Sequence, residues 1–325
     1  MIPSPATHPA RRRLPVGRAI DGISAVLLPF EASGRPDWDG FTSLVARTYA
    51  AGLTPAVNMD TGHVNLLTAD ERARALAIAR EVSAGRRFVA GAFVEDVAHE
   101  GRIAEIYHRA IEAIVAHGGT PILFQSSPLS RLDAQQTIAA YRDIARAADS
   151  LLAFELGRMF APFGRIYTAD VVAGLMEIPA IRGLKHSSLD RTIEWDRLEL
   201  RDRIRPDFKI YTGNDLAIDM VLDGSDYLLG LSAFSVEGFA ARDRLWTSGD
   251  ANGFRVNDLL QYLGFFAFRP PVPAYKHSAA QFLHLRGIIR SSETHPRADR
   301  RPASDAAVLD DIARRLDQAL IASGT

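Results

Sequence analysis

Ile23-Ser24-Ala25-Val26-Leu27-Leu28 leads through a helical pattern at Trp38–Ala51 into Thr54-Pro55-Ala56-Val57-Asn58, so two apolar runs of strand length flank one amphipathic segment. Neither run alternates apolar with polar residues, and both therefore read as strands buried on two faces, as in a parallel sheet. The unit recurs about every 30 residues, the length of a strand-helix-strand module. Further strands are expected at Phe88–Val94, Pro121–Phe124, Leu151–Glu155, Ile181–Leu184, Phe208–Tyr211 and Tyr227–Ser232, which makes eight. Helical patterns follow them at Ala69–Ala84, Arg102–His117, Ala134–Ala148, Ala169–Met176, Glu194–Ile204, Leu216–Leu222 and Val236–Thr247. Eight such units in series close naturally into an α/β fold of the (β/α)8 TIM barrel type. A doubly wound sheet loses its support because Phe30-Glu31-Ala32-Ser33-Gly34 stands where a Gly-rich dinucleotide turn would be.

The barrel is expected over residues 21–248, preceded by a flexible N-terminal tail (1–20) and followed by a C-terminal helical extension (249–325). Patterns at Phe254–Phe268, Ala274–Arg286 and Ala306–Ile321 form that extension. Of 325 residues, 47% are hydrophobic and 24% charged, and 38 basic side chains against 39 acidic ones leave a net charge of −1. No basic surface is there to grip a phosphate backbone, so nucleic acid is excluded as a partner. With no cysteine, disulfides, thiolate nucleophiles and cysteine-ligated metals are excluded as well. The first residues lack the apolar run of a secretory signal, and no stretch has the length of a membrane span. The expectation is a cytoplasmic protein that does not associate with a membrane.

Only three of the 38 basic residues are lysines, Lys185, Lys209 and Lys276, the other 35 (38 − 3) being arginines. A bias that strong makes each surviving lysine a candidate for needing an amine in particular. Chemistry in a barrel belongs at the C-terminal ends of the strands, and Gly183-Leu184-Lys185-His186-Ser187 puts Lys185 there. An amine desolvated at such a place has a lowered pKa and can attack a carbonyl; the bland alternative is a lysine paired with a carboxylate such as Glu155. Lys209 begins a strand, at the stability end, and Lys276 follows a Pro-rich turn of the extension and is not expected in a site. Asp60 and His63 end the second strand and Glu155 the fifth. The histidines show no metal-binding spacing.

These residues resemble the dihydrodipicolinate synthase / N-acetylneuraminate lyase superfamily. Leu28-Pro29-Phe30 is similar to its T-P-F motif, and Asp60-Thr61-Gly62-His63 with Leu67-Thr68-Ala69-Asp70-Glu71-Arg72 to G-T-T-G-E and L-t-x-x-E-R. Ile178-Pro179-Ala180-Ile181-Arg182-Gly183-Leu184-Lys185 resembles the segment ending in I-x-G-I-K, whose lysine forms a Schiff base. Tyr211-Thr212-Gly213-Asn214-Asp215, Leu229-Gly230-Leu231-Ser232 and Pro271-Val272-Pro273-Ala274-Tyr275-Lys276 resemble the G-x-D, G-x-I-S and N-P-I-P-V-K elements.

The resemblance implies a class I aldolase-type lyase in which Lys185 attacks the C2 carbonyl of a 2-oxo acid, pyruvate-type or sugar-derived, for aldol cleavage or dehydration. It implies that Thr61 holds the substrate carboxylate and that Asp60, Gly62, His63, Phe154, Gly213 and Leu231 surround the substrate. Arg158 or Arg165 would be the substrate arginine. No metal or organic cofactor is implied. A homo-oligomer, dimer or tetramer, is expected.

The departures redirect the expectation. Phe154-Glu155 replaces the family's Y-N pair, which removes its proton-relay tyrosine, and Pro128-Leu129-Ser130 replaces P-Y-Y. The lysine-pathway enzyme itself is disfavoured, and Glu155, helped by His63 or Tyr167, is the expected replacement relay, although strand alternation points Glu155 away from Phe154. Two other readings stay open: a barrel that binds a small carboxylate as a sensor or regulator without turnover, and hydrolysis through Asp60, Glu155 and His63.

Overall fold

The computed structural model describes residues 15–95 and 103–324 of the chain. Eight strands, β1 (Gly22–Ala25), β2 (Thr54–Val57), β3 (Val89–Ala92), β4 (Thr120–Leu123), β5 (Leu151–Leu156), β6 (Ile181–Ser187), β7 (Lys209–Thr212) and β8 (Asp226–Leu229), close in sequence order into a parallel barrel. The protein is a TIM barrel. Around it lie α1 (Trp38–Ala50), α2 (Ala69–Ser83), α3 (Ile103–Ala116), α4 (Ser127–Ser130), α5 (Ala134–Ile144), α6 (Ala169–Met176), α7 (Arg191–Ile204) and α8 (Val236–Thr247), and α9 (Asn252–Ala267), α10 (Tyr275–Leu285) and α11 (Asp305–Ala322) follow. Among the described residues no helix is long and apolar enough to cross a membrane.

Two apolar layers follow from the period-two geometry of a strand. Ile23, Ala56, Val89, Ile122, Leu152 and Leu228 fill the barrel interior, while Ala153, Leu184, Ile210 and Leu229 face the helices. Local capping starts the helices where the sequence signals them. Thr68 and Glu71 form a reciprocal capping box on α2, and Asp133 with Gln136 does the same on α5.

Several expectations change: the first strand ends at Ala25 and the eighth at Leu229, short of the expected Leu28 and Ser232, and the short helix α4 was not expected. The segment expected as a helix at Leu216–Leu222 is a 3-10 turn at Ile218–Asp223, because Gly224, at φ 115°, ends it after six residues. The sixth strand runs on to Ser187, held by pairing of Lys185 with Phe154 on β5 and with Tyr211 on β7. The chain before β1 is tied down where it is described. The Gly17 N–H donates to the Thr247 carbonyl at 2.8 Å, and the Arg18 guanidinium donates to Asp226 and to the carbonyls of Val221 and Ser225. The rest of the expected tail, residues 1–14, lies outside the described residues, as does Arg102, the expected start of α3.

The extension folds back over the barrel. Helix α9 packs on α8, α11 packs on α9 and α10, and Tyr275 to Leu283 of α10 are all buried. The turn that leads into α10 is clamped by the buried Arg301, whose guanidinium donates to the carbonyls of Ala267 (3.0 Å), Pro270 (3.1 Å), Pro271 (3.0 Å) and Arg269. Arg301→Ala would leave these acceptors without their donor. It is expected to cost about 2–3 kcal/mol, seen as a lower urea midpoint.

Candidate active site

A cavity of about 480 Å³ opens at the C-terminal ends of the strands. Alternation along β6 sends Lys185 into it and His186 outward, and on β5 it does the same for Phe154 and Glu155. Lys185 Nζ lies 4.4 Å from the centroid of the Phe154 ring. Burial lowers the amine's pKa to about 8, against the opposing pull of Asp215 and Asp60. Gly213 keeps this space open, since a Cβ there would lie 2.8 Å from Lys185 Cε and collide with Ser187 Oγ.

Asp215, six per cent exposed, lines the same cavity and accepts the Leu231 N–H at 2.7 Å. Burial raises its carboxyl to about 7, although backbone donors and Lys185 oppose the shift. A third group of side chains comes from far apart in sequence. Tyr275 Oη lies 2.8 Å from Thr61 Oγ1 and donates to Asp60 Oδ2 at 3.0 Å, and Lys276 Nζ donates to Asp60 Oδ1 at 3.0 Å. Because the Tyr275 proton is engaged by Asp60, the Thr61 hydroxyl is the donor to Tyr275. Burial opposes ionisation of Asp60, but Lys276 and the Tyr275 hydroxyl outweigh it and hold the carboxyl below its ordinary value. Asp60 still keeps 48% of its side-chain surface open, against 7% for Lys276.

Of the residues expected around a substrate, Lys185, Thr61, Asp60, Phe154 and Gly213 line the cavity, and Glu155, Gly62, His63, Arg158 and Leu231 do not. Glu155 faces the helix layer with no exposed surface; it accepts from His186 Nδ1 at 2.6 Å, Arg197 Nε at 3.0 Å and the Tyr167 N–H at 2.6 Å. The expected relay through Glu155 is thus replaced by a structural ion cluster in the barrel wall. Burial disfavours its ionised form, yet His186 and Arg197 hold the carboxyl below its ordinary value. Tyr167 spends its hydroxyl on Tyr141. His63 is wholly buried against Phe30, and burial lowers its pKa to about 3, so it is a neutral packing residue. With Glu155 and His63 outside the cavity, no hydrolytic trio with Asp60 assembles.

Leu231 contributes its backbone N–H to Asp215, and the Gly62 N–H is used on the Met59 carbonyl. Arg158 is exposed on an adjoining groove, and Arg165 donates to the Leu132 carbonyl at 2.6 Å, so neither arginine reaches the cavity wall. Lys276, not expected in a site, holds Asp60. Asp215 and Tyr275 are the functional candidates that the sequence reading did not single out. Each lies inside a segment that resembles a family motif, but only the folded positions show that these residues line the cavity. Among the described residues, no three imidazole or carboxylate groups converge as metal ligands do.

A family model described as "Protein of unknown function (DUF993)" matches residues 22–296. The chain is 30% identical over 320 residues to a probable 5-dehydro-4-deoxyglucarate dehydratase of Streptomyces coelicolor, covering 94% of this chain and 92% of that protein. Among solved structures it resembles dihydrodipicolinate synthase of Thermotoga maritima, with TM-score 0.78 and 17% identity over 92% of this chain and 99% of that one. It also resembles YagE of E. coli K12, a dihydrodipicolinic acid synthase family protein solved in complex with pyruvate, with TM-score 0.76 and 17% identity over 91% and 98%. At such identities the structural likeness speaks for the fold alone.

Glu155→Gln leaves Arg197 buried beside a neutral partner and is expected to destabilise the fold by about 3–5 kcal/mol at neutral pH. Because the folded carboxyl titrates below its ordinary value, its stabilisation is present above the unfolded pKa, near 4.3, and is lost as pH falls through the folded one. The difference in urea midpoint between wild type and Glu155→Gln is therefore expected to shrink in acid.

Proposed function

Since the chain belongs to the DUF993 family and is 30% identical to a probable dehydratase, we propose that it is a Schiff-base lyase or dehydratase acting on a sugar-derived 2-oxo acid through Lys185. The observation that carries this reading is the amine itself. Among the described residues Lys185 is the only lysine on the cavity wall, and burial gives it a neutral fraction near physiological pH. Only the neutral amine has the lone pair that attacks a carbonyl.

The relative's name describes a compound with a carbonyl beside a carboxylate, a methylene next to it and a hydroxyl one carbon further on. In 2-oxo acid numbering these are C2, C3 and C4. Attack by Lys185 Nζ on C2 and loss of water give a protonated imine, which withdraws electrons from C3. Asp215, poised at about 7, takes a C3 proton as base. The enamine then expels the C4 hydroxyl, and the same carboxyl returns the proton so that water leaves. Hydrolysis of the conjugated imine frees Lys185. The resemblance, in which this position binds the substrate carboxylate, supports seating that carboxylate near Thr61 on the cavity wall.

Intact mass after incubation with pyruvate and borohydride tests the reading. The wild type is expected to gain a reduced adduct and Lys185→Ala none; an unlabelled wild type across a panel of 2-oxo acids would favour the non-catalytic binding barrel. The trapping rate is expected to rise with pH and level off above about 8, where the amine is neutral. Asp215→Asn is expected to keep the adduct while slowing C3 proton exchange with solvent by about 10²–10⁴-fold. Because Asp215 as an anion favours the ammonium form, its neutralisation is expected to move the acid limb of trapping to lower pH.

A further inference from the structure

The family tyrosine that relays protons during imine formation has no counterpart at Phe154, and Glu155 faces away from the cavity. Imine formation still needs two proton movements. The nitrogen of the first adduct must lose a proton, and the carbinolamine hydroxyl must gain one before it can leave as water. We propose that the Thr61 hydroxyl, the Tyr275 hydroxyl and the Asp60 carboxylate form this relay, with Tyr275 supplied by the C-terminal extension and Lys276 fixing its terminal carboxylate.

The hydrogen bonds run in one direction. Thr61 donates to Tyr275 at 2.8 Å and Tyr275 to Asp60 at 3.0 Å, while the second carboxylate oxygen receives Lys276 at 3.0 Å. Thr61, Tyr275 and Asp60 all line the cavity that holds Lys185. A proton released from the adduct nitrogen onto Thr61 Oγ1 displaces the Thr61 proton to Tyr275 and the Tyr275 proton to Asp60 Oδ2. The reverse shift returns a proton to the carbinolamine oxygen, the C–O bond breaks, water leaves and the relay regains its starting state. No proton is gained or lost over the cycle.

The relay is built into the fold. Tyr275 is four per cent exposed and stacks on Phe268 with ring centroids 4.2 Å apart, so its hydroxyl is aimed by packing. Gly230 leaves room for the contact, since a Cβ there would lie 3.1 Å from Thr61 Oγ1 and 3.2 Å from Tyr275 Oη. Asp60, Asp215 and Lys276 are the charged groups near the phenol, and His63 behind Asp60 stays neutral at physiological pH.

The inference rests on the Schiff-base reading above. Its test is the time course of borohydride-trapped adduct with pyruvate as the probe, for wild type, Tyr275→Phe and Asp60→Asn. Tyr275→Phe retains the ring and its stack, so its melting temperature and half-saturating pyruvate concentration are expected to stay near those of wild type. Its saturating trapping rate is expected to fall about 10²-fold or more, and Asp60→Asn is expected to fall comparably. A wild-type trapping rate in Tyr275→Phe, or a change in half-saturation alone, would overturn the relay and leave the Schiff-base reading intact. Absence of an adduct on the wild type would overturn both.

Discussion

Lys185 and His186 are neighbours on one strand, and the pleat of β6 sends one into the cavity and the other into the wall. The wall side is an ion cluster in which Glu155 of β5 accepts from His186 of β6 and from Arg197 of α7. That cluster fixes the β5 to β6 register behind the amine, and a slip of one residue would exchange Lys185 for His186 in the cavity. Removing Arg197 would leave the buried Glu155 carboxylate without its guanidinium partner, so the register is held by the cost of losing the cluster.

The other half of the site comes from outside the eight strand-helix units. Arg301 ties down the carbonyls of the turn before α10, and the His277 Nδ1 accepts the Arg301 N–H at 2.8 Å. Tyr275 and Lys276, the first two residues of α10, thereby reach Thr61 and Asp60 across more than 200 residues of sequence. The extension is in this sense a wall of the cavity as well as a cover for the barrel helices.

The barrel was legible because parallel strands buried on both faces have a simple composition, and runs such as Leu151–Ala153 and Ile210–Tyr211 carry it. Lys185 was legible from rarity and from its place at the end of a strand. Strand alternation already pointed Glu155 away from Phe154, and the pairing of Phe154 with Lys185 and of Glu155 with His186 agrees with it. The Asp60, Tyr275 and Lys276 contacts were not legible, since they depend on how a turn held by Arg301 meets the mouth of the barrel. The 3-10 turn at Ile218–Asp223 was missed for a related reason. Gln261 of α9 engages the Ile218 N–H and the Asp215 carbonyl, so a tertiary contact sets the backbone there.

Phe154, where the resembled family has a tyrosine, changes the balance around the amine instead of simply deleting a group. A phenyl ring beneath Nζ cannot hydrogen-bond it, which deepens its desolvation, while the ring face offers an ammonium only a weak attraction. The net shift to about 8 favours a nucleophile at the expense of a local proton carrier. On the proposed imine chemistry, a proton carrier is then needed elsewhere on the cavity wall. Tyr275 hydrogen-bonds both a hydroxyl and a carboxylate there, and under the proposed relay the phenyl ring on strand five and the phenol from the extension are complementary.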